Sequence, residues 1–190
     1  MVIGLTGGLG CGKSAAAVVF ARLGFRVVNA DLLAREVLQR PATVALLQAR
    51  WGAACLGPDH LPHRAWIAQK VFTAPAELAF LESILHPEVA RLRLAAATDQ
   101  TRHHVVEIPL LFEKGLEVDY DCIVCIACSD EVCLARLAAR GLTREESQAR
   151  MNAQMTLGQK VAKSDYVLWN DGSRAFLESQ VRRLVKQLSE

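Results

Sequence analysis

The stretch GLTGGLGCGKSAAAVVF, residues Gly4 to Phe20, carries the clearest structural signal in the chain. An apolar run, a glycine-rich loop and an alanine-rich run follow one another, which predicts a strand, a tight loop and a helix. Gly7 to Ser14 matches the pattern G-x-x-x-x-G-K-[ST] in the strand-to-helix context that this pattern requires. Glycines let backbone N–H groups turn inward, and the helix adds its positive end. The loop is therefore predicted to bind phosphate.

Two polar side chains of this loop stand where nucleotide chemistry needs them. Lys13 would supply positive charge to the β- and γ-phosphates of ATP, and the Ser14 hydroxyl would bind Mg²⁺. An ordinary tight turn explains the glycines but not this lysine and serine, and a dinucleotide fingerprint is contradicted by Lys-Ser after the last glycine. The predicted nucleotide-binding residues of the loop are Gly8, Leu9, Gly10, Cys11, Gly12, Lys13, Ser14 and Ala15.

Size and composition predict one globular domain, residues 1–190, since the 190-residue chain is 52% hydrophobic and 22% charged. The net charge of +2 comes from 22 basic and 20 acidic residues, which does not indicate a nucleic-acid partner. No apolar run reaches the ~18 residues of a membrane helix. Six cysteines without a secretory leader predict reduced thiols in the cytoplasm. The oligomeric state stays open, and a monomer is compatible with the sequence.

Three of the cysteines have a spacing that superficially resembles a metal site. They lie in DCIVCIAC, which reads as a strand, so Cys122 and Cys125 would be roughly 10 Å apart on opposite faces. Such thiols cannot share one zinc ion. We interpret them as small buried hydrophobic residues.

The order of elements predicts an α/β fold. Strand patterns occur in VIGLT, FRVVNA, HHVVEIPLL, YDCIVCIAC and DYVLW, with helical patterns between them. Five strands joined through helices predict a mostly parallel sheet of the P-loop NTPase type, with ligands at the carboxyl ends of the strands. Residues of about 43–98 read as a helical insertion. Residues of about 136–156, interrupted by Gly141, resemble a hinged lid.

Further residues separate the classes of phosphate-loop protein. A GTPase would carry N-K-x-D and D-x-x-G motifs, and the chain contains neither. Glu107 is the nearest carboxylate to a motor-type metal ligand, but it precedes Ile108-Pro109, which weakens the case for a metal role. A small kinase needs a carboxylate beside the γ-phosphate. Asp31 follows the second strand and is the candidate general base, with a helix N-cap as the alternative or additional role.

Cationic and acceptor-side candidates are less sharply defined. Arg136, Arg140, Arg144 and Arg150 cluster around Gly141 and could clamp phosphates, although each could equally be a solvated helix residue. Arg140 is placed best, at the hinge. His86 precedes Pro87 and would cap a new helix or contact the acceptor.

Six stretches of the chain share one resemblance: GLTGGLGCGKS, VVNADLLAR, LHPEV, EIPLLFE, the segment from Arg140 to Gln154, and SDYVLWNDGS. Together they resemble the dephospho-CoA kinase family over essentially the whole chain. The resemblance implies transfer of the ATP γ-phosphate to the ribose 3′-hydroxyl of dephospho-CoA, the last step of coenzyme A synthesis. It also implies a P-loop kinase core with a lid and a helical acceptor-binding subdomain.

The resemblance implies residue roles as well. Lys13, Asp31 and Arg140 would be catalytic, with Asp31 orienting or deprotonating the hydroxyl and Arg140 at the nucleotide. Asn170, in the turn Asn170-Asp171-Gly172, would lie on the nucleotide side, unless that segment is a plain turn. The residues implied at the acceptor are Asp31, His86, Pro109 and Leu110.

Two positions depart from the usual family pattern. Asn29 stands where an aspartate is common, and Ala15 where a hydroxyl residue often follows the serine. An amide at position 29 could weaken Mg²⁺ binding, but activity is expected because Lys13, Ser14 and Asp31 are present. A related kinase for another nucleoside or small metabolite, or a non-catalytic ATP-binding regulator, remains the alternative.

Overall fold

The structure, a computed structural model, describes residues 1–97 and 102–189. These residues divide into two units, one formed by residues 1–29 and 102–189 and the other by residues 30–97. The predicted end of the helical insertion, Thr98, lies outside the described residues.

The first unit contains the predicted five-stranded parallel sheet, so the α/β fold is confirmed. The strand order is β2-β3-β1-β4-β5, with β1 in the middle. In the register, Glu107 of β3 pairs with Leu5 of β1 and with Asn29 of β2, all at the carboxyl end of the sheet. The apolar run HHVVEIPLL yields a strand that ends at Glu107, two residues before Pro109, which has no N–H to donate to a ladder. The strands are β1 Val2–Gly7, β2 Arg26–Asn29, β3 His104–Glu107, β4 Cys122–Ala127 and β5 Tyr166–Trp169.

Nine α-helices occur in the described residues: α1 Lys13–Arg22, α2 Ala30–Leu38, α3 Pro41–Trp51, α4 Arg64–Phe72, α5 Pro75–Ala97, α6 Asp130–Ala138, α7 Arg144–Asn152, α8 Leu157–Lys163 and α9 Arg174–Leu188. Short 3₁₀ turns lie at Ala53–Cys55 and Glu117–Asp119.

The core of the first unit covers one face of the sheet. Helix α1 buries Phe20 there, and the amphipathic α9 buries Leu177, Val181 and Leu184 against the same cluster. These positions recur every three or four residues, which is the spacing of one helix face. Burial of this face holds α1 against β1 and so fixes the loop between them.

Helix α8 was not predicted, because its seven residues LGQKVAK show no clear apolar periodicity. A local signal was nevertheless present. Thr156 accepts from the Gln159 backbone N–H, and the Gln159 side chain accepts from the Thr156 N–H, so the two residues form a capping box.

The second unit is helical and has its own core, built around Leu47, Cys55 and Ile67. Helix α5 runs through Pro87 without a break, so the predicted helix start with His86 as N-cap is wrong. Proline removes one helical hydrogen bond, but the apolar turn before it, Ile84 and Leu85, packs on this core and keeps the chain helical.

All six cysteines are free and buried. Cys122 and Cys128 belong to the core of the first unit together with Val124 and Ile126, whereas Cys125 lies beside Ser164. This alternation matches the predicted strand. None of the described helices combines the length and the apolarity needed to cross a membrane.

Candidate active site

The glycine-rich loop joins the end of β1 to the start of α1, as predicted. Gly10 and Gly12 have φ angles of 77° and 97°, in the region that favours glycine. Gly12 is the N-cap of α1, and a Cβ there would collide with the Asn170 side-chain amide. Within the described residues no side chain caps this helix start. The Ala15 and Ala16 N–H groups donate to the Gly12 carbonyl, which leaves those of Lys13 and Ser14 at the helix start to bind an anionic ligand.

Lys13 is held at this loop. Its Nζ atom donates to the carbonyls of Gly7 and Gly8 at 3.1 and 2.9 Å. Burial lowers the pKa of the Lys13 ammonium, and this effect outweighs the raising influence of Cys11 and Glu107. The charge lies where the loop would receive phosphate oxygens.

Glu107 brings the loop and two strands together. Its carboxylate accepts from the Ser14 hydroxyl at 2.9 Å and from the Asn29 side-chain amide at 2.8 Å, and the residue is only 6% exposed. The sequence left Glu107 in doubt, yet it is the carboxylate that contacts Ser14. Asn29 is matched to this arrangement, because an amide can donate to Glu107 whereas an aspartate would face it with like charge.

The oxygen donors at this point fit Mg²⁺. Mg²⁺ favours hard oxygen ligands and typically takes one or two protein groups together with phosphate oxygens and water. Ser14 and Glu107 offer a hydroxyl and a carboxylate beside the loop. Among the described residues there is no group of three or more His, Cys, Asp or Glu side chains that could hold a metal ion. A hydroxyl and a single carboxylate fit a cation that takes its remaining ligands from phosphate oxygens and water.

A second set of contacts supports the loop. The buried Asn170 side-chain amide donates to the Cys11 carbonyl at 2.8 Å, and Arg136 donates to the Asn170 carbonyl at 2.9 Å and to the Cys11 carbonyl at 3.5 Å. The segment after β5 and helix α6 thereby fix the position of Cys11.

The loop after β3 is fixed by a lysine with no solvent exposure. Lys160 of α8 donates to the Pro109 carbonyl at 2.6 Å and forms an ion pair with Glu113 at 2.9 Å. Burial alone raises the pKa of the Glu113 carboxyl, but hydrogen bonds from Lys160 and from backbone N–H groups lower it overall. Glu113 also accepts from the Met155 backbone N–H at 2.8 Å.

A cavity of about 480 Å³ adjoins the phosphate loop within the first unit. Loop residues Gly8, Leu9 and Cys11 line one side, and Met151 and Leu157 lie on the side of α7 and α8.

The sequence relationships identify the family to which this arrangement belongs. The sequence model of dephospho-CoA kinase matches residues 1–175. The chain belongs to the dephospho-CoA kinase family. A dephospho-CoA kinase from Syntrophotalea carbinolica is 41% identical over 194 residues, which cover 99% of this chain and 92% of the relative.

Solved structures agree on the fold. The crystal structure of a Thermus thermophilus protein is 35% identical, with a TM-score of 0.87 and coverage of 99% of this chain and 97% of that one. A dephospho-CoA kinase from Campylobacter jejuni is 24% identical, with a TM-score of 0.74 and coverage of 99% and 96%, and this match bears on the fold alone. The predicted family, the predicted P-loop kinase fold and the predicted enzyme class are confirmed.

Two of the residues predicted to contact the acceptor, Asp31 and His86, lie in the helical unit. Asp31 is exposed and is the second residue of α2, so it lies inside the first turn rather than before the helix. His86 is a half-exposed residue of α5, with its Nε2 atom 3.7 Å from Glu82. Their roles at the acceptor stay predictions.

In the first unit, Pro109 presents its carbonyl to Lys160, and Leu110 is half-buried beside it. Arg140 follows the end of α6 and is exposed, and its side chain contacts no polar group among the described residues. Arg136, one turn earlier, is the arginine that contacts the phosphate loop. The predicted roles of Arg140 at the nucleotide and of Pro109 and Leu110 at the acceptor stay predictions.

Proposed function

We propose that this enzyme transfers the γ-phosphoryl group of ATP to the ribose 3′-hydroxyl of dephospho-CoA, giving coenzyme A and ADP. The observation that carries the proposal is the family match over residues 1–175. The phosphate loop with Lys13 and Ser14 supports ATP as the donor. The acceptor rests on the family rather than on a contact.

The chain's own residues supply binding and charge. Backbone N–H groups of Gly12, Lys13 and Ser14 would bind the β- and γ-phosphates, and Lys13 would leave its loop carbonyls to contact the transferred group. Because negative charge is redistributed over the phosphoryl oxygens during transfer, a fixed cation at this position lowers the barrier. Arg140 would add charge from the lid.

Mg²⁺ forms part of the proposal. Ser14 and Glu107 would hold it, with Asn29 orienting the Glu107 carboxylate through its amide. When bound, the ion would neutralise phosphate charge and orient the phosphate chain. Glu107 would in addition keep the Ser14 hydroxyl turned toward the metal.

Asp31 would act on the acceptor. The ribose 3′-oxygen forms the new bond to the γ-phosphorus while the bond to the β–γ bridging oxygen breaks, and ADP leaves. The hydroxyl proton passes to the Asp31 carboxylate, which orients the hydroxyl beforehand. A general base of this kind typically contributes about 10²- to 10⁴-fold in rate.

The first experiment compares acceptors. ATP consumption with Mg²⁺ is measured with dephospho-CoA, adenosine and AMP separately, and products are identified by mass. Turnover with dephospho-CoA alone is expected. Turnover only with another acceptor would replace the proposed substrate, and ATP binding without any transfer would favour a regulator.

A matched pair of variants tests Asp31. Asp31→Asn is expected to lose about 10²- to 10⁴-fold in transfer rate with little change in ATP affinity. Asp59→Asn changes another exposed aspartate of the helical unit and is expected to keep the normal rate. Equal rates for the two variants would remove Asp31 from the mechanism.

The cytoplasmic location predicted from the sequence also belongs to this proposal. The six free cysteines support it, because thiols persist in a reducing compartment.

A further inference from the structure

Three thiols lie together behind the phosphate loop. Cys11 belongs to the loop, Cys128 directly follows β4, and Cys133 lies in α6. The Cys128 thiol donates to the Cys11 sulfur, with a distance of 3.3 Å between the two Sγ atoms. The Cys133 thiol instead donates to the Leu9 carbonyl at 2.8 Å. Cys11 and Cys128 therefore form the sulfur pair at 3.3 Å, while the Cys133 thiol donates to the backbone and its sulfur interacts with Cys128 as well.

The pair is buried, but a small oxidant can reach it. Cys11 and Cys128 are 1% and 2% exposed. Both line the cavity of about 480 Å³ beside the loop, together with Cys133. Hydrogen peroxide is close to water in size, so a cavity of this volume admits it.

The surroundings favour Cys11 as the reacting sulfur. The hydrogen bond from Cys128 lowers the pKa of the Cys11 thiol, and the Lys13 charge lowers it further, against the opposing effect of burial. The same hydrogen bond, together with burial, raises the pKa of Cys128. On the strand itself, burial raises the pKa of Cys122 and of Cys125 to about 11 each. Because the thiolate is the reactive form, oxidation should begin at Cys11.

We propose that Cys11 and Cys128 form a reversible disulfide when hydrogen peroxide enters this cavity, and that this disulfide inactivates the phosphate loop. The Cys11 thiolate attacks one peroxide oxygen, the O–O bond breaks, and the departing hydroxide takes up a proton to become water. The Cys128 thiol then attacks the sulfur of the resulting sulfenic acid. The S–S bond forms, the S–O bond breaks, and a second water leaves. Two thiols have lost two electrons and two protons, and one peroxide has become two waters.

The bond would move the loop. A disulfide joins its sulfurs at about 2.05 Å, so the pair must approach by roughly 1.3 Å from its present distance. Cys11 is also fixed through its carbonyl to Asn170 and Arg136, so movement of its side chain strains the peptide that those residues hold. The neighbouring N–H groups then lose the alignment that phosphate binding needs. A misplacement of about 1 Å can cost about 100-fold in rate.

The test uses the full-length reduced protein exposed to a small excess of hydrogen peroxide, with catalase to stop the reaction. Peptide mass spectrometry without reductant is expected to identify a Cys11–Cys128 linked peptide, and this readout does not depend on which acceptor the enzyme uses. Equilibrium ATP binding should weaken, the transfer rate should fall about 100-fold, and dithiothreitol should restore both.

Two variants make the test specific. Cys128→Ala should keep the reduced protein active, form no such link, and lose ATP binding far more slowly in peroxide; Cys128→Ser replaces it if the alanine variant does not fold. Cys122→Ala, at the start of β4 and outside the lining of the cavity, should behave as the unmodified chain. A linked peptide that leaves ATP affinity unchanged, a Cys11–Cys133 link, or equal loss of binding in the Cys128 variant would each overturn the proposal.

Discussion

Replacing Glu107 by glutamine tests the part of the site that the sequence left in doubt. The carboxylate accepts hydrogen bonds from Ser14 at 2.9 Å and from Asn29 at 2.8 Å. A glutamine of nearly equal volume can still accept from Asn29 through its remaining oxygen, but it turns an NH₂ group toward Ser14. One charge-assisted hydrogen bond is lost, and the proposed Mg²⁺ site loses its carboxylate.

The size of the effect follows from that loss. A hydrogen bond to a charged group contributes about 1.5–3 kcal/mol. At 1.36 kcal/mol for each factor of ten, the loss corresponds to about a 10- to 150-fold decrease in kcat/KM for ATP. Folding should change little, because a neutral amide of the same shape replaces a charge that had to be buried.

The assay measures kcat/KM for ATP over a series of Mg²⁺ concentrations, with thermal unfolding of the same preparations. Glu107→Gln should need more Mg²⁺ and should unfold near the normal temperature. Glu178→Gln, which removes a surface ion pair with Arg182 on α9, is the matched control and should change neither quantity. Normal kcat/KM and normal Mg²⁺ dependence in Glu107→Gln would refute the assignment.

Three other substitutions have defined outcomes. Lys13→Ala should lower transfer by several orders of magnitude, because it removes charge where phosphoryl charge develops, and single-turnover rates would detect it. Asn170→Ala leaves the Cys11 carbonyl with only the 3.5 Å contact from Arg136, and the loss of a hydrogen bond of about 0.5–1.5 kcal/mol should weaken ATP binding measured by calorimetry. Lys160→Met breaks a buried pair and should cost about 3–5 kcal/mol of unfolding free energy in denaturant titrations, mostly from the uncompensated Glu113 carboxylate. The folded-state pKa of Glu113 lies below its ordinary value of 4.5, so the Glu113 carboxylate stabilises the fold above pH 4.5 and this stabilisation is lost as the pH falls through the lowered pKa. Lys160→Met should therefore weaken the loss of stability at acid pH. An unchanged dependence of stability on pH would contradict the Lys160–Glu113 pair.

The strand-loop-helix unit around Lys13 was predictable because its signals are local. The glycine pattern, the lysine and the serine occupy eight consecutive residues, and the apolar runs on either side fix the secondary structure. The five strands followed from short β-branched runs in the same way. None of these inferences required knowledge of distant contacts.

Glu107 was not predictable by these means. Its partners Ser14 and Asn29 are 93 and 78 residues away in the chain, and only the register of the parallel sheet brings them together. The following Ile108-Pro109 made the carboxylate look like the end of an apolar run. The signal that could have indicated Glu107 is its position as a carboxylate at the end of β3, the strand that pairs with β1 just before the phosphate loop.

The arginines and the buried lysine illustrate a different limit. Periodicity placed four arginines near one hinge, but it could not show that Arg136 contacts the loop while Arg140 is exposed. Lys160 lies in a short polar helix, where a lysine is normally solvated, and its burial depends on Glu113 from another segment. The prediction that His86 caps a new helix was wrong because a local signal, the proline, was overruled by packing, which keeps α5 helical through Pro87.

The contacts of Arg136 and Met155 set limits on how the region predicted as a lid can rearrange. Arg136 ties the end of α6 to Asn170, and the Met155 N–H ties the residue before Thr156 to Glu113. The intervening α7 buries only Ser147 among its described residues and carries its own capping box at Thr143. Met151 of α7 also packs on the core of the first unit, so this helix is held by one apolar contact as well as by its two flanking segments. The side chains that hold the Cys11 carbonyl, Asn170 and Arg136, both lie outside residues 139–154, so the shape of the phosphate loop does not depend on the position of α7.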